Sequence, residues 1–293
     1  MSTEGYATFL KLMGHRVRRI DGTYWFNVYP GVYMPFPFQK ILDPFQINVS
    51  RILGKDGFAV RYPCAVEMGR PSYRIICDVK DYGLMSLKSK ARNQTRRGLE
   101  RCEVKQLDFN EYVEDALELN RDTLIRQQRS IPPDFEKYWR QYFKCCEGVE
   151  GAEIWGAFVE GKLAAYLIAF RMENVSHILI LRSKRELLKF YPNNALVFTY
   201  LEKTLADDSI SEVSIGFESI QEGMGSLDHF KVGMGFRKKP VGQRIEVRPV
   251  LSIIFRTGLA DIVERVLSVR KTDERFWKFR GLIRWYNEQP ALR

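Results

Sequence analysis

Lys231 and His229, inside the segment LDHFKVGMGF from Leu227 to Phe236, are the residues of this chain best suited to oxyanion or proton chemistry. An ammonium group beside a reacting carbonyl stabilises developing negative charge, and an imidazole can pass a proton near neutral pH. Two positions apart on a helix, the side chains point about 200° apart around the axis, so they need not share a face. The plainer reading of His229 is a residue on a helix surface. Glu218, just past an apolar strand, is a further candidate proton acceptor. Lys88, Arg92 and Arg96 recur every four residues in LMSLKSKARNQTRRGLER, which lines them on one helix face, with Arg97 beside them. Like charges stacked in this way repel unless an anion meets them; the alternative is an ordinary solvated face. Arg185 and Lys189 precede Pro192-Asn193-Asn194, a helix start whose first-turn amides, near Asn193 and Asn194, can receive an anionic donor group.

Other chemistries find little support. The sequence has no G-x-S-x-G elbow, P-loop or H-E-x-x-H motif, and its three histidines are scattered, so no metal site is expected. Gly223-Met224-Gly225 reads as a loop. Five cysteines without a C-x-x-C pair fit a reducing compartment rather than a disulfide framework. With neither an export signal nor an 18-residue apolar run, the expected location is cytoplasmic, with the inner face of the membrane as an option. The net charge of +10 favours an anionic partner without choosing among nucleic acid, phosphorylated metabolites and lipid headgroups.

The elements that must position these residues follow from periodicity and turn chemistry. A helix is predicted from Tyr6 to Met13, then strands broken at Asp21-Gly22 and Pro30-Gly31. Helical spacing runs from Phe45 to Leu53, and strands from Phe58 to Tyr62 and Tyr73 to Val79. After the basic helix, Asp108 or Asn110 is expected to cap a helix reaching Gln127, and Pro132-Pro133 to start one ending near Cys146. A seam is expected at Glu147 to Gly151. Three strands then precede the Pro192 helix, and a fourth, Glu212 to Phe217, precedes the Lys231 helix. A last strand runs from Gly242 to Val247. Leu259 to Leu267 has helical spacing, and an aromatic, basic helix surrounds Phe276, Trp277, Phe279 and Trp285. That helix suits either packing on the protein or a membrane interface.

This order of elements from Ala152 to Val247 resembles the GNAT acyltransferase core. KSKARNQTRRGLERCEV and FKVGMGF resemble two motifs of the Fem-type peptidyltransferases and their acyltransferase relatives, and the likeness extends from Leu84 to Val247. The resemblance implies a mixed α/β, GNAT-like acyl-CoA N-acyltransferase fold with a partial related N-terminal lobe. It also implies transfer of an acyl or aminoacyl group from an activated donor to an amine. Lys231 matches the motif lysine near the donor ester or its oxyanion, with Phe230 beside it in the substrate site, while Arg92, Arg96 and Arg97 match the basic segment. Met234 departs from the pattern, where the family has an aromatic residue.

The expected organisation is residues 1–148 as an N-terminal lobe, 149–248 as the GNAT-like core and 249–293 as a helical tail. Catalysis is assigned to Lys231 with His229 or Glu218. Lys88, Arg92, Arg96, Arg97 and Phe230 would bind substrate, and Arg185, Lys189, Asn193 and Asn194 the donor. No tightly bound cofactor is expected. Acyl-CoA or aminoacyl-tRNA would serve as co-substrate, and a small-molecule or lipid-linked amine as acceptor, with peripheral membrane contact as an option. The segment RELLKFYPNN lacks the glycines that let a backbone approach a pyrophosphate, which favours aminoacyl-tRNA over coenzyme A. The rival is a non-catalytic RNA- or membrane-surface-binding protein on the same scaffold.

Overall fold

Turn chemistry sets the frame of the strands. Asp21 and Gly22 adopt φ of 48° and 74°, and Glu160 and Gly161 φ of 50° and 77°, the left-handed pair that closes a two-residue hairpin. The computed structural model describes residues 3–220, 225–249, 251–252 and 274–292. It divides into two compact units that interleave along the chain: residues 1–14, 75–216 and 226–237 form the first, and 15–74, 217–225 and 238–293 the second. These divisions differ from boundaries drawn at 148 and 248. The expected seam at Glu147 to Gly151 lies inside the first unit, because helices and strands on both sides of it share one sheet.

In the first unit, β6 (Glu103–Leu107), β7 (Ala152–Val159), β8 (Lys162–Met172), β9 (Val175–Ser183) and β10 (Glu212–Phe217) are ordered β10-β9-β8-β7-β6. The β7 and β8 strands are nearly continuous apolar runs because both faces of the sheet are covered. On one face Tyr166 of β8 meets Asn120 of α4 (Val113–Arg126) and Phe143 of α5 (Phe135–Cys146). On the other, Trp155 of β7 and Ser176 of β9 meet Tyr200 of α6 (Pro192–Leu205). The helices α1 (Glu4–Leu12), α3 (Ser89–Arg101) and α7 (Gly225–Gly233) complete the unit. No side chain caps α4, whose N-cap is Tyr112 rather than Asp108 or Asn110.

In the second unit, β1 (Val17–Ile20), β2 (Thr23–Tyr29), β3 (Val32–Phe36), β4 (Ala59–Cys64), β11 (Arg237–Val247) and β5 (Arg70–Cys77) follow the order β1-β2-β3-β4-β11-β5. Alternating residues separate its two cores. Tyr33, Val60 and Tyr62 pack with Trp25 and with Ile52 and Leu53 of α2 (Val49–Leu53). Val32, Ala59 and Ile245 pack with Leu282, Ile283 and Trp285 of α8 (Glu274–Glu288). Trp285 is 1% exposed, so the tail helix spends this aromatic on the protein core and not on a membrane interface. The helix expected from Leu259 to Leu267 lies outside the described residues.

Candidate active site

The FKVGMGF segment is a helix ending. The Phe236 N–H donates to the Lys231 carbonyl (3.2 Å) and the Gly235 N–H to the Val232 carbonyl (3.3 Å), the paired bonds of a Schellman cap. Gly235, at φ +89°, takes the left-handed position, and a Cβ there would come within 3.0 Å of the Tyr82 ring. Lys231 therefore occupies the last turn of α7, where a cation is favoured by the helix dipole, and it is half-buried.

This ending is fastened from several directions. The Tyr82 hydroxyl donates to the Met234 carbonyl at 2.7 Å, and the Lys88 N–H donates to the Gly233 carbonyl at 3.1 Å. The Met234 side chain is fully buried, its Sδ accepting from Asn194 Nδ2 (3.4 Å) and Thr95 Oγ1 (3.9 Å). Where the family carries an aromatic, Met234 thus joins α3, α6 and the end of α7. Asn194, expected to bind donor, is a packing residue that is 7% exposed.

The start of α6 is largely closed to an anion. Pro192 has no N–H, and the Tyr191 carbonyl accepts from the amides of Asn194 (3.0 Å) and Ala195 (3.2 Å). Tyr191 itself is left-handed, at φ 59°. Gly98 of α3 lies so close that a Cβ would sit 2.8 Å from the same carbonyl. An internal carbonyl thus occupies the Asn194 amide, one of the two expected to face a donor phosphate. Asn193 donates through Nδ2 to Ser183 Oγ at 3.0 Å. Arg185 and Lys189 are exposed, the Arg185 amide donating to Asp122 and Lys189 lying over the Phe190 ring.

The basic stripe is only partly a stripe. Lys88, Arg96 and Arg97 are exposed, whereas Arg92 is half-buried and returns its guanidinium to the Leu87 carbonyl at 3.0 Å. Arg97 lies over the Tyr191 ring. Along α7, His229 is exposed, Phe230 half-buried, and His229 does not share a face with Lys231. Glu218 belongs to the second unit, where it accepts from Arg70 at 2.8 Å.

Between β9 and β10 the parallel pairing runs only from Glu212–Val175 to Ser214–His177, while β9 continues to Ser183. A register shift at Ile178–Ile180 adds a bulge just beyond. Such an opening leaves backbone groups able to hold an extended acyl donor. Sequence reasoning missed the residues at the far end of β9, Arg182 with Asn120 and Arg126 of α4. The legible signal was an arginine closing the apolar run VSHILILRS.

None of the five thiols offers a nucleophile. All are buried, and burial pushes Cys64, Cys77 and Cys102 each up to about 11. Among the described residues no group of three or more His, Cys, Asp or Glu side chains is arranged to hold a metal ion.

Residues 87–230 match the family model described as an acetyltransferase (GNAT) domain. FemX is similar in structure, with a TM-score of 0.61 at 13% identity over 86% of this chain and 93% of that one. L-PGS from Bacillus licheniformis gives 0.54 at 15% identity over 94% and 98%. A conserved protein of unknown function from Bacteroides thetaiotaomicron VPI-5482 gives 0.51 at 10% over 83% and 88%. No curated protein matches the chain in sequence. Residues 87–230 thus match a GNAT acetyltransferase domain, and the chain shares the fold of FemX.

Proposed function

We propose that the protein moves an aminoacyl group from an activated ester donor, aminoacyl-tRNA, to a small-molecule or lipid-linked amine. The observation that supports this choice of donor is the closure of the α6 start, where Pro192 has no N–H and the Tyr191 and Asn194 amides donate to the Leu188 and Tyr191 carbonyls rather than to a pyrophosphate. In this reading the acceptor nitrogen attacks the ester carbonyl and the N–C bond forms. Lys231 stabilises the oxyanion, the C–O bond breaks, and the amine proton passes to the departing oxygen. His229 and Glu218 are weaker candidates for that proton, one turned to solvent and the other held by Arg70. The exposed Lys88, Arg96 and Arg97 would meet the donor backbone, giving steeply salt-dependent binding.

Acyl-CoA is the second donor, favoured by the parting of β9 from β10. Cell-envelope precursors are the acceptor class that the Fem-type resemblance of the sequence implies. Among the described residues no helix is long and apolar enough to cross a membrane, and the burial of Trp285 removes one anchor for peripheral contact. Thermal unfolding with charged tRNA, uncharged tRNA and acetyl-coenzyme A tests the donor, since a ligand of the folded state raises stability by mass action. Stabilisation by charged tRNA alone is the expected result. Stabilisation by acetyl-coenzyme A alone would replace the donor, and stabilisation by neither would favour a non-catalytic scaffold.

A further inference from the structure

At the end of β9 the first unit gathers positive charge without visible compensation. Arg182 is half-buried beside Trp139, its Nε donating to Asn120 Oδ1 at 3.2 Å and its Nη1 to the Leu181 carbonyl at 3.0 Å. Arg126, also half-buried, reaches Ser183 Oγ at 3.5 Å. Among the described residues neither Arg126 nor Arg182 has an ion-pair partner. Nearby carboxylates on α4 are engaged elsewhere, Glu118 with Lys184 and Asp122 with the Arg185 amide. Burial lowers the pKa of Arg182, and the neighbouring Arg129 and Arg126 cations lower it further.

A second observation points the same way. Asn120 is 1% exposed, and its Oδ1 accepts from both Tyr166 and Arg182, which fixes the amide orientation. Its Nδ2 is then buried with no hydrogen-bond partner in the protein. A buried donor left in this state carries a desolvation penalty that a ligand oxygen would remove. Guanidinium groups beside an orphaned amide donor form a side-chain receptor for an oxyanion. With more than one cation present, a multiply charged phosphate suits it better than a single carboxylate.

We infer that Arg126, Arg182 and the Asn120 amide bind a phosphate group of a substrate. The inference rests on the transfer reading only in assigning that phosphate to a substrate. The site takes over, with side chains, a task that the closed start of α6 cannot perform with its backbone.

Titration calorimetry with sodium pyrophosphate at two salt concentrations tests it. The wild-type protein should bind, more weakly at the higher salt. Arg182→Met should weaken binding about tenfold or more, as expected for loss of a charge-assisted bond. Should that variant fail to fold, Asn120→Asp keeps an oxygen for Tyr166 and Arg182 while adding a negative charge, and should lose binding to a similar extent. Arg51→Met, at an exposed pair with Asp21, should bind as wild type. Absence of binding by wild type, or equal binding by all variants, would overturn the assignment. Coenzyme A and O-phosphoethanolamine distinguish the source: Arg182-dependent binding of the first assigns the phosphate to the donor, and of the second to the acceptor. Lys231→Met should leave pyrophosphate binding intact, so failure of the transfer reading and failure of this one are separable.

Discussion

Two arginine clusters, one in each unit, use the same chemistry to different ends. In the second unit Arg61 and Arg70 both lie over the Trp285 ring, at 4.6 and 4.3 Å from its centre. Arg70 is answered by Glu218 and Glu288, and Arg61 by Gln243 Oε1 at 2.9 Å. In the first unit Arg182 also neighbours a tryptophan, Trp139, yet among the described residues it and Arg126 lack acidic partners. A guanidinium whose charge is matched inside the fold contributes structure. One left unmatched costs stability, and its positive charge remains available to a ligand.

The comparison can be broken most severely at the ring itself. Trp285→Ala removes a nearly fully buried side chain and the plate beneath two guanidiniums, and should cost about 3–5 kcal/mol in urea unfolding. Removing single charges comes next. Glu218→Gln takes one of two carboxylates from the half-buried Arg70 and should cost about 1–2 kcal/mol. Arg126→Gln should change stability by less than about 0.5 kcal/mol or raise it, because no carboxylate is stranded. Equal losses in these two variants would make the first-unit cluster structural as well.

Acid sharpens the contrast within the second unit. The Tyr33 hydroxyl, at 2.7 Å, and the Arg16 and Arg18 guanidiniums hold the Asp56 carboxyl well below the usual range. The folded value lies under the unfolded one, so this stabilisation is complete above the ordinary aspartate range and is lost as pH falls through the folded value. Asp56→Asn should flatten that acid limb of a pH–stability curve. A small effect is also expected at Arg140 and Glu114, an exposed pair screened by water, where Arg140→Ala should leave the urea midpoint nearly unchanged, and more nearly so at high salt.

Local signals carried much of the fold. The hairpin at Glu160-Gly161, the Pro192 helix and the apolar strands around them stand where periodicity places them, because alternation and turn residues act over a few positions. The strand β6, Glu103–Leu107, was missed since it is short, mixes polar with apolar residues on both faces and is defined by pairing with β7. The interleaving of the two units was equally hidden, as it depends on which distant strands join one sheet. The helix that carries Lys231 was legible because helical spacing is local. Arg92 facing inward, Tyr191 closing α6 and Asn120 with its orphaned amide were not, since each depends on partners far along the chain.

The most direct measurement is single-turnover transfer from charged tRNA to an amine, comparing wild type with Lys231→Met after both are shown to fold alike. Loss of one oxyanion-stabilising group should slow transfer by about a hundredfold or more without changing donor binding. Transfer at the wild-type rate by Lys231→Met would contradict the placement of the chemistry at the end of α7.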